Sequence, residues 1–115
     1  MLWRVAGLAG ALGVVLGAFG AHGLEDRVEP AAIERWWNTG ARYHLIHAVA
    51  LLGVAAHPAQ PKLAAGAFVT GIVLFSGSLY VMTLTGITKL GMITPLGGLA
   101  FIVGWLALGF AGAKR

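Results

Sequence analysis

Residues 17–29, GAFGAHGLEDRVE, carry an apolar, glycine-rich run into the first histidine of the chain and then into a burst of charge. Three readings fit such a junction: the end of a membrane span, a signal-peptide cleavage region, or a polar site held at a membrane surface. The residues on either side decide among them. Upstream, residues 5–21 form an uncharged stretch of 17 residues, close to the ~20 helical residues that a hydrocarbon core of about 30 Å requires. Downstream, all four acids of the chain, Glu25, Asp26, Glu29 and Glu34, fall within ten positions. The stretch therefore reads as a helix leaving the bilayer into a polar connection.

The whole composition agrees with this. Of 115 residues, 58% are hydrophobic and 10% are charged, and the mean hydropathy is +0.83. A soluble globule of this length has too little polar surface to cover so much apolar sequence, so lipid must act as the outer solvent. The formal charge of +4 comes from eight Lys/Arg against four acids. It reflects scarce carboxylates, not a basic arm, and nucleic acid is not an expected partner. With no cysteine there is neither a disulfide framework nor thiolate chemistry.

Three further apolar segments follow, so the sequence predicts one all-α transmembrane domain over residues 1–115, a four-helix bundle with spans at about 4–22, 40–56, 63–85 and 92–113. In lipid each backbone amide must be satisfied within its own segment, and the strict alternation of a β-barrel is missing. His57-Pro58 and Pro61-Lys62 bracket a tight turn, and Gly86 to Gly91 make another. Glu29-Pro30 marks a helix start, with proline at the first helical position and a negative charge near the positive end of the helix dipole. From Pro30 the helix is expected to run into Ala56, beginning with an amphipathic interfacial turn over residues 33–37. Trp36 and Trp37 are expected in the aromatic belt there, as are Trp3 and Trp105 near other helix ends.

Arg4, Lys62, Lys114 and Arg115 would lie on one side and Arg27, Arg35, Arg42 and Lys89 on the other. This balance leaves the positive-inside rule silent; the AKR tail favours both termini inside. A signal-peptide cleavage after Gly20 also fits the small residues there. Retention is favoured, because Ala9, Gly13, Gly17 and Ala21 form a small-residue ridge that cleavage would remove. Gly97, Ala100, Gly104, Ala107 and Ala111 form a second ridge. Such ridges allow close helix approach in lipid, within one bundle or between copies.

Four motifs recur in a fixed order: GAFGAHGL at 17–24, YHLIHAVALL at 43–52, FSGSLYVMTLTG at 75–86 and ITPLGGLAFIVGWLAL at 93–108. Together they resemble the family of small four-span bacterial membrane proteins known as domain of unknown function 423, related to a small eukaryotic transmembrane protein. The resemblance covers nearly the whole chain. It implies the fold and a multi-pass place in the bacterial inner (plasma) membrane, and it brings no activity, cofactor or catalytic residue.

Polar residues at membrane depth are costly and so are functional candidates. His44 and His47 share one stripe of the second helix with Trp37, Gly40 and Leu51, Tyr43 is one turn from His47, and His22 is placed where the first span could reach that face. Three histidines can bind a divalent metal, with Glu25 or Asp26 completing or orienting the set. The alternative is a hydrogen-bonded network with Ser76, Ser78, Tyr80 or backbone carbonyls. No metal or cofactor is expected on balance, since two histidines on one helix face cannot supply opposite haem ligands. FSGSLY lacks a nucleophile elbow, and Thr94-Pro95 reads as an N-cap followed by a first-turn proline. Arg42 with the loop acids forms either a polar lid or a loose surface. The expected function is a non-enzymatic scaffold, accessory or lipid-binding bundle. The alternative is an oligomeric transporter or channel component using the His/Ser/Tyr path. Membrane lipids are the expected partners, with a second copy or another membrane protein beside them.

Overall fold

In the computed structural model, which describes residues 1–112, four helices account for almost the entire chain, and no strand occurs among the described residues. The end of the fourth expected span at residue 113 and the charges of Lys114 and Arg115 lie outside the described residues. Helix α1 is Leu2–His22. Helix α2 runs through residues 30–56, beginning with Pro30–Ala32, widening through Ile33–Trp37 and continuing as Asn38–Ala56. Helix α3 is Lys62–Thr85, with a similar wide turn at Ile72–Ser76. A short 3₁₀ turn, Thr88–Met92, leads into α4, Thr94–Gly109. The molecule is elongated, 51 × 26 × 17 Å.

The helix boundaries follow local chemistry. Pro30 occupies the first turn of α2 as its missing N–H allows. His57 is extended at the other end of that helix, as a residue before proline prefers. In the turn that follows, His57 Nδ1 accepts from the Ala59 amide at 2.9 Å, and the Gln60 side chain donates to the Ala55 carbonyl at 2.8 Å. Helix α3 stops at Gly86, whose φ of 74° is left-handed and whose N–H closes on Met82 O.

Packing is inverted relative to a soluble bundle. On α1 the buried positions are Ala6, Gly13 and Gly20, while Leu8, Leu12, Val14 and Val15 are exposed. Lipid solvates the large side chains, so the small ones face protein, where they let backbones approach. The contact ridge therefore differs from the expected one. It repeats every seven residues, because Gly17 has open space around it and Ala21 is exposed. On α4 the contact positions are Gly97, Phe101 and Gly104. Two core clusters result: Ala50, Leu51, Val54, Phe68 and Phe101 toward one end, and Leu24, Trp37, Ala41 and Tyr80 toward the other.

Three helical stretches, Leu2–His22, Lys62–Thr85 and Thr88–Gly109, are long and apolar enough to cross a membrane. Helix α2 is the exception, and its position explains why. It packs against each of the other three helices, with nine buried residues in Asn38–Ala56. One face of it, with Tyr43, Ile46, Val49 and Leu52, stays exposed, but the covered face carries the polar side chains His44 and His47 among protein partners.

Candidate functional site

The polar residues of α2 serve as ties to its neighbours. His44 is 1% exposed. Its Nε2 lies 2.9 Å from the Ala9 carbonyl of α1, and its Nδ1 lies 2.9 Å from the Tyr80 hydroxyl of α3. A carbonyl only accepts, so the neutral ring donates from Nε2 and Nδ1 takes the Tyr80 hydrogen. His47 adopts the opposite tautomer. Its Nδ1 donates to the Tyr43 carbonyl at 2.7 Å, while Nε2 accepts from the Trp105 indole N–H of α4 at 2.9 Å. One histidine thus links α2 to α1 and α3, and the other links it to α4. Although one turn apart, the two rings diverge toward different helices instead of opening on a common space.

The serines complete the ties. Ser76 donates to the Gly40 carbonyl at 2.6 Å, where a Cβ at position 40 would press on Ser76 O. Ser78 bonds the Phe75 carbonyl at 3.0 Å and the Thr94 hydroxyl at 2.6 Å. Thr94 is therefore the first residue of α4 and a bridge to α3; it makes no N-capping bond. Among the described residues no buried side-chain nitrogen or oxygen lacks a partner. Because Ser76 joins α2 to α3 through one neutral hydrogen bond, Ser76→Ala is expected to cost about 0.6–1.7 kcal/mol, read from unfolding in mixed micelles.

The other expected site residues lie apart. His22 is exposed at the end of α1, as are Glu25 and Asp26 in the following connection; none of them joins His44 or His47. Among the described residues no three His, Cys, Asp or Glu side chains gather as metal ligands, and both ring nitrogens of His44 and of His47 already have partners. The reach expected of His22 fails because α1 continues as helix through position 22, carrying the ring beyond the level of the α2 histidines. Arg42 is exposed on α2 and Trp36 is half-buried. Trp37 departs from the expected aromatic belt: it is 1% exposed and donates its indole N–H to Leu16 O at 2.7 Å. The wide turn at Ile33–Trp37 moves it inward, against Phe19 and Tyr80.

Beside the histidines lies an open groove of about 750 Å³ along α2, α3 and α4. His47 stacks on Phe101 at 3.6 Å, Tyr43 and Phe75 meet at 4.7 Å, and Trp105 stands edge-on to His47 at 5.7 Å. Sequence reasoning placed Trp105 at a helix end. Helix α4 does end one turn beyond it, at Gly109, but its indole N–H is taken by His47 instead of being left to an interface.

Comparison with known proteins supplies relatives in bacteria and yeast. Over 110 residues the chain is 47% identical to the UPF0382 membrane protein YwdK of Bacillus subtilis, covering 90% of this chain and 88% of that protein. It is 37% identical to the UPF0382 membrane protein C1782.12c of Schizosaccharomyces pombe, covering 93% and 97%, and 38% identical to a UPF0382 membrane protein of Haemophilus influenzae, covering 93% and 89%. No solved structure matches. The family described as "Protein of unknown function (DUF423)" matches residues 16–98, which include the α2 histidines, both wide turns and the start of α4, and the chain belongs to that family of small membrane proteins.

Proposed function

We propose that this chain is a non-enzymatic, multi-pass bundle of the bacterial inner (plasma) membrane that binds lipid and braces other membrane proteins as a scaffold or accessory subunit. The observation that carries the reading is the closure of the polar network. Each histidine and serine tie ends on a backbone carbonyl or on a neighbour already bonded to the chain. A conducting path needs groups that exchange partners along the membrane normal, whereas the bonds to Ala9, Tyr80, Gly40, Thr94 and Trp105 run between helices and those to Tyr43 and Phe75 close within one helix. Catalysis would need a nucleophile with a base, or a free acid, near a substrate space. The membrane names of the bacterial relatives and the apolar helices support the location.

The competing reading is an oligomeric transporter or channel component. Proteoliposomes holding the purified protein are expected to show no proton or alkali-cation flux above empty vesicles. His44→Leu and His47→Leu should behave identically in flux while melting at lower temperature. A flux that the wild type supports and either variant abolishes would overturn the proposal.

A further inference from the structure

Resting on the lipid-binding part of that reading, we infer that the aromatic groove and Arg42 together form a site for one anionic phospholipid, the acyl chain lying along the groove and the phosphate meeting the guanidinium. The groove is lined by Tyr43, His47, Phe75, Phe101 and Trp105, with Pro95 at one end. Its walls are preformed: His47 is fixed between the Tyr43 carbonyl and the Trp105 indole, and Phe101 lies flat on it. The lining offers water few contacts, since the polar side-chain atoms of His47 and Trp105 already have partners. At membrane depth the occupant is therefore apolar.

Length and charge identify it as a lipid. From Pro95 to Trp105 is ten residues, about 15 Å at the helical rise, or half of a hydrocarbon core of about 30 Å. The groove thus has the depth of a single leaflet. Arg42 precedes the groove residue Tyr43, is exposed, and has Asn38, Thr39, Leu45 and Ile46 at one turn's distance. None of these is a carboxylate, and all the acids lie between positions 25 and 34. An unpaired arginine on a lipid-facing helix costs about 2.5–3.5 kcal/mol at the centre of a span, and a phosphate removes much of that cost by a charge-assisted contact. The levels agree as well. The Ser76 bond to Gly40 and the Ser78 bond to Thr94 set the start of α4 about one turn above Arg42. A helical side chain leans toward its helix N-terminus, so the guanidinium is carried up toward the Pro95 end of the groove.

The test is native mass spectrometry of the full chain in detergent, with 1-palmitoyl-2-oleoyl phosphatidylglycerol competing against the matching phosphatidylcholine. Wild type is expected to retain one phosphatidylglycerol per chain with about tenfold preference, the ratio expected of a contact worth about 1.4 kcal/mol. Arg42→Gln should bring that preference to within about twofold of unity, because the exposed side chain contributes charge and not packing. Gly98→Leu should abolish retention of both lipids; a Cβ at Gly98 meets only Phe75 Cδ2 at 3.9 Å, so the fold tolerates it and the melting temperature is the control. Equal retention of both lipids by wild type, or unchanged preference in Arg42→Gln, overturns the site. So does a wild-type dimer that Gly98→Leu converts to lipid-free monomer, since a second copy would then be the occupant. These outcomes leave the bundle reading intact, whereas flux in proteoliposomes removes that reading without altering a lipid stoichiometry.

Discussion

Trp37→Ala is expected to destabilise the bundle by about 3 kcal/mol, the lower end of the range for truncating a buried tryptophan. The lower end applies because the unfolded helices remain in lipid, so little hydrophobic transfer is lost and the cost is mainly packing and the cavity. Trp37 fills the space between α1 and α3. Its indole N–H reaches Leu16 O at 2.7 Å, its ring lies 4.7 Å from Tyr80 and 5.7 Å from Phe19, and a Cβ at Gly20 would come within 2.6 Å of its Nε1. Trp37→Phe keeps an aromatic ring but loses the bond, and should cost about 1 kcal/mol. Reversible unfolding in mixed micelles separates the two. Equal losses for Ala and Phe would show that the bond, and not the wedge, holds the helices.

The second large effect is expected at Gly97. A Cβ there would stand 2.7 Å from Phe75 Cα and closer still to the Phe75 amide nitrogen. The obstacle is backbone, which cannot rotate aside as a side chain can, so α3 and α4 must separate. Gly97→Val should therefore cost about 3 kcal/mol, the upper end of overpacking penalties, and loosen the Ser78–Thr94 bond nearby. Gly17→Ala is the contrast. Nothing lies within 4 Å of its added methyl group, and the gain in helix propensity should make it neutral or stabilising by up to about 1 kcal/mol. If both substitutions lowered the melting temperature alike, close approach at Gly97 would not be what joins these helices.

Much of the fold was legible because the bilayer imposes length and composition. The uncharged runs, Pro30 at the start of α2 and the Pro58 and Gly86 breaks all mark real ends. The contact faces were harder to read. Spacing placed Gly17 and Ala21 on the ridge of α1, but seven-residue spacing through Gly13 and Gly20 makes the contact, and regular small residues cannot distinguish a face turned to protein from one turned to lipid. The histidines were recognisable as polar groups needing partners. Their partners were not, since Ala9 O and Tyr43 O are backbone atoms that any residue type supplies. Trp37 was misplaced because a tryptophan next to a charged loop usually sits in the interfacial belt, and the wide turn that draws it inward leaves no mark in composition. Arg42 and Tyr43 were visible singly; the groove between them and α4 required the third dimension.

That wide turn has a counterpart in α3 at Ile72–Ser76, where Gly77 N–H bonds back to Ile72 O across five residues. Before it, Phe68 and Gly71 press on Gly104 and Phe101 of α4; at its last residue and after it, Ser76 and Tyr80 tie to Gly40 and His44 of α2. An ordinary α-helix presents one stripe, and partners above and below must share its direction. The wide turn takes up one extra residue locally, so the sequence spacing of the contacts shifts by one while the two halves of the rod keep their grip on both neighbours. Chain length between Phe68 and Ser76 is consequently a structural quantity in its own right. Removing one residue there would convert the turn to ordinary α-helix with both halves near their present bearings, whereas adding one would turn one half of α3 by about a quarter-turn and force the helix to release either α2 or α4.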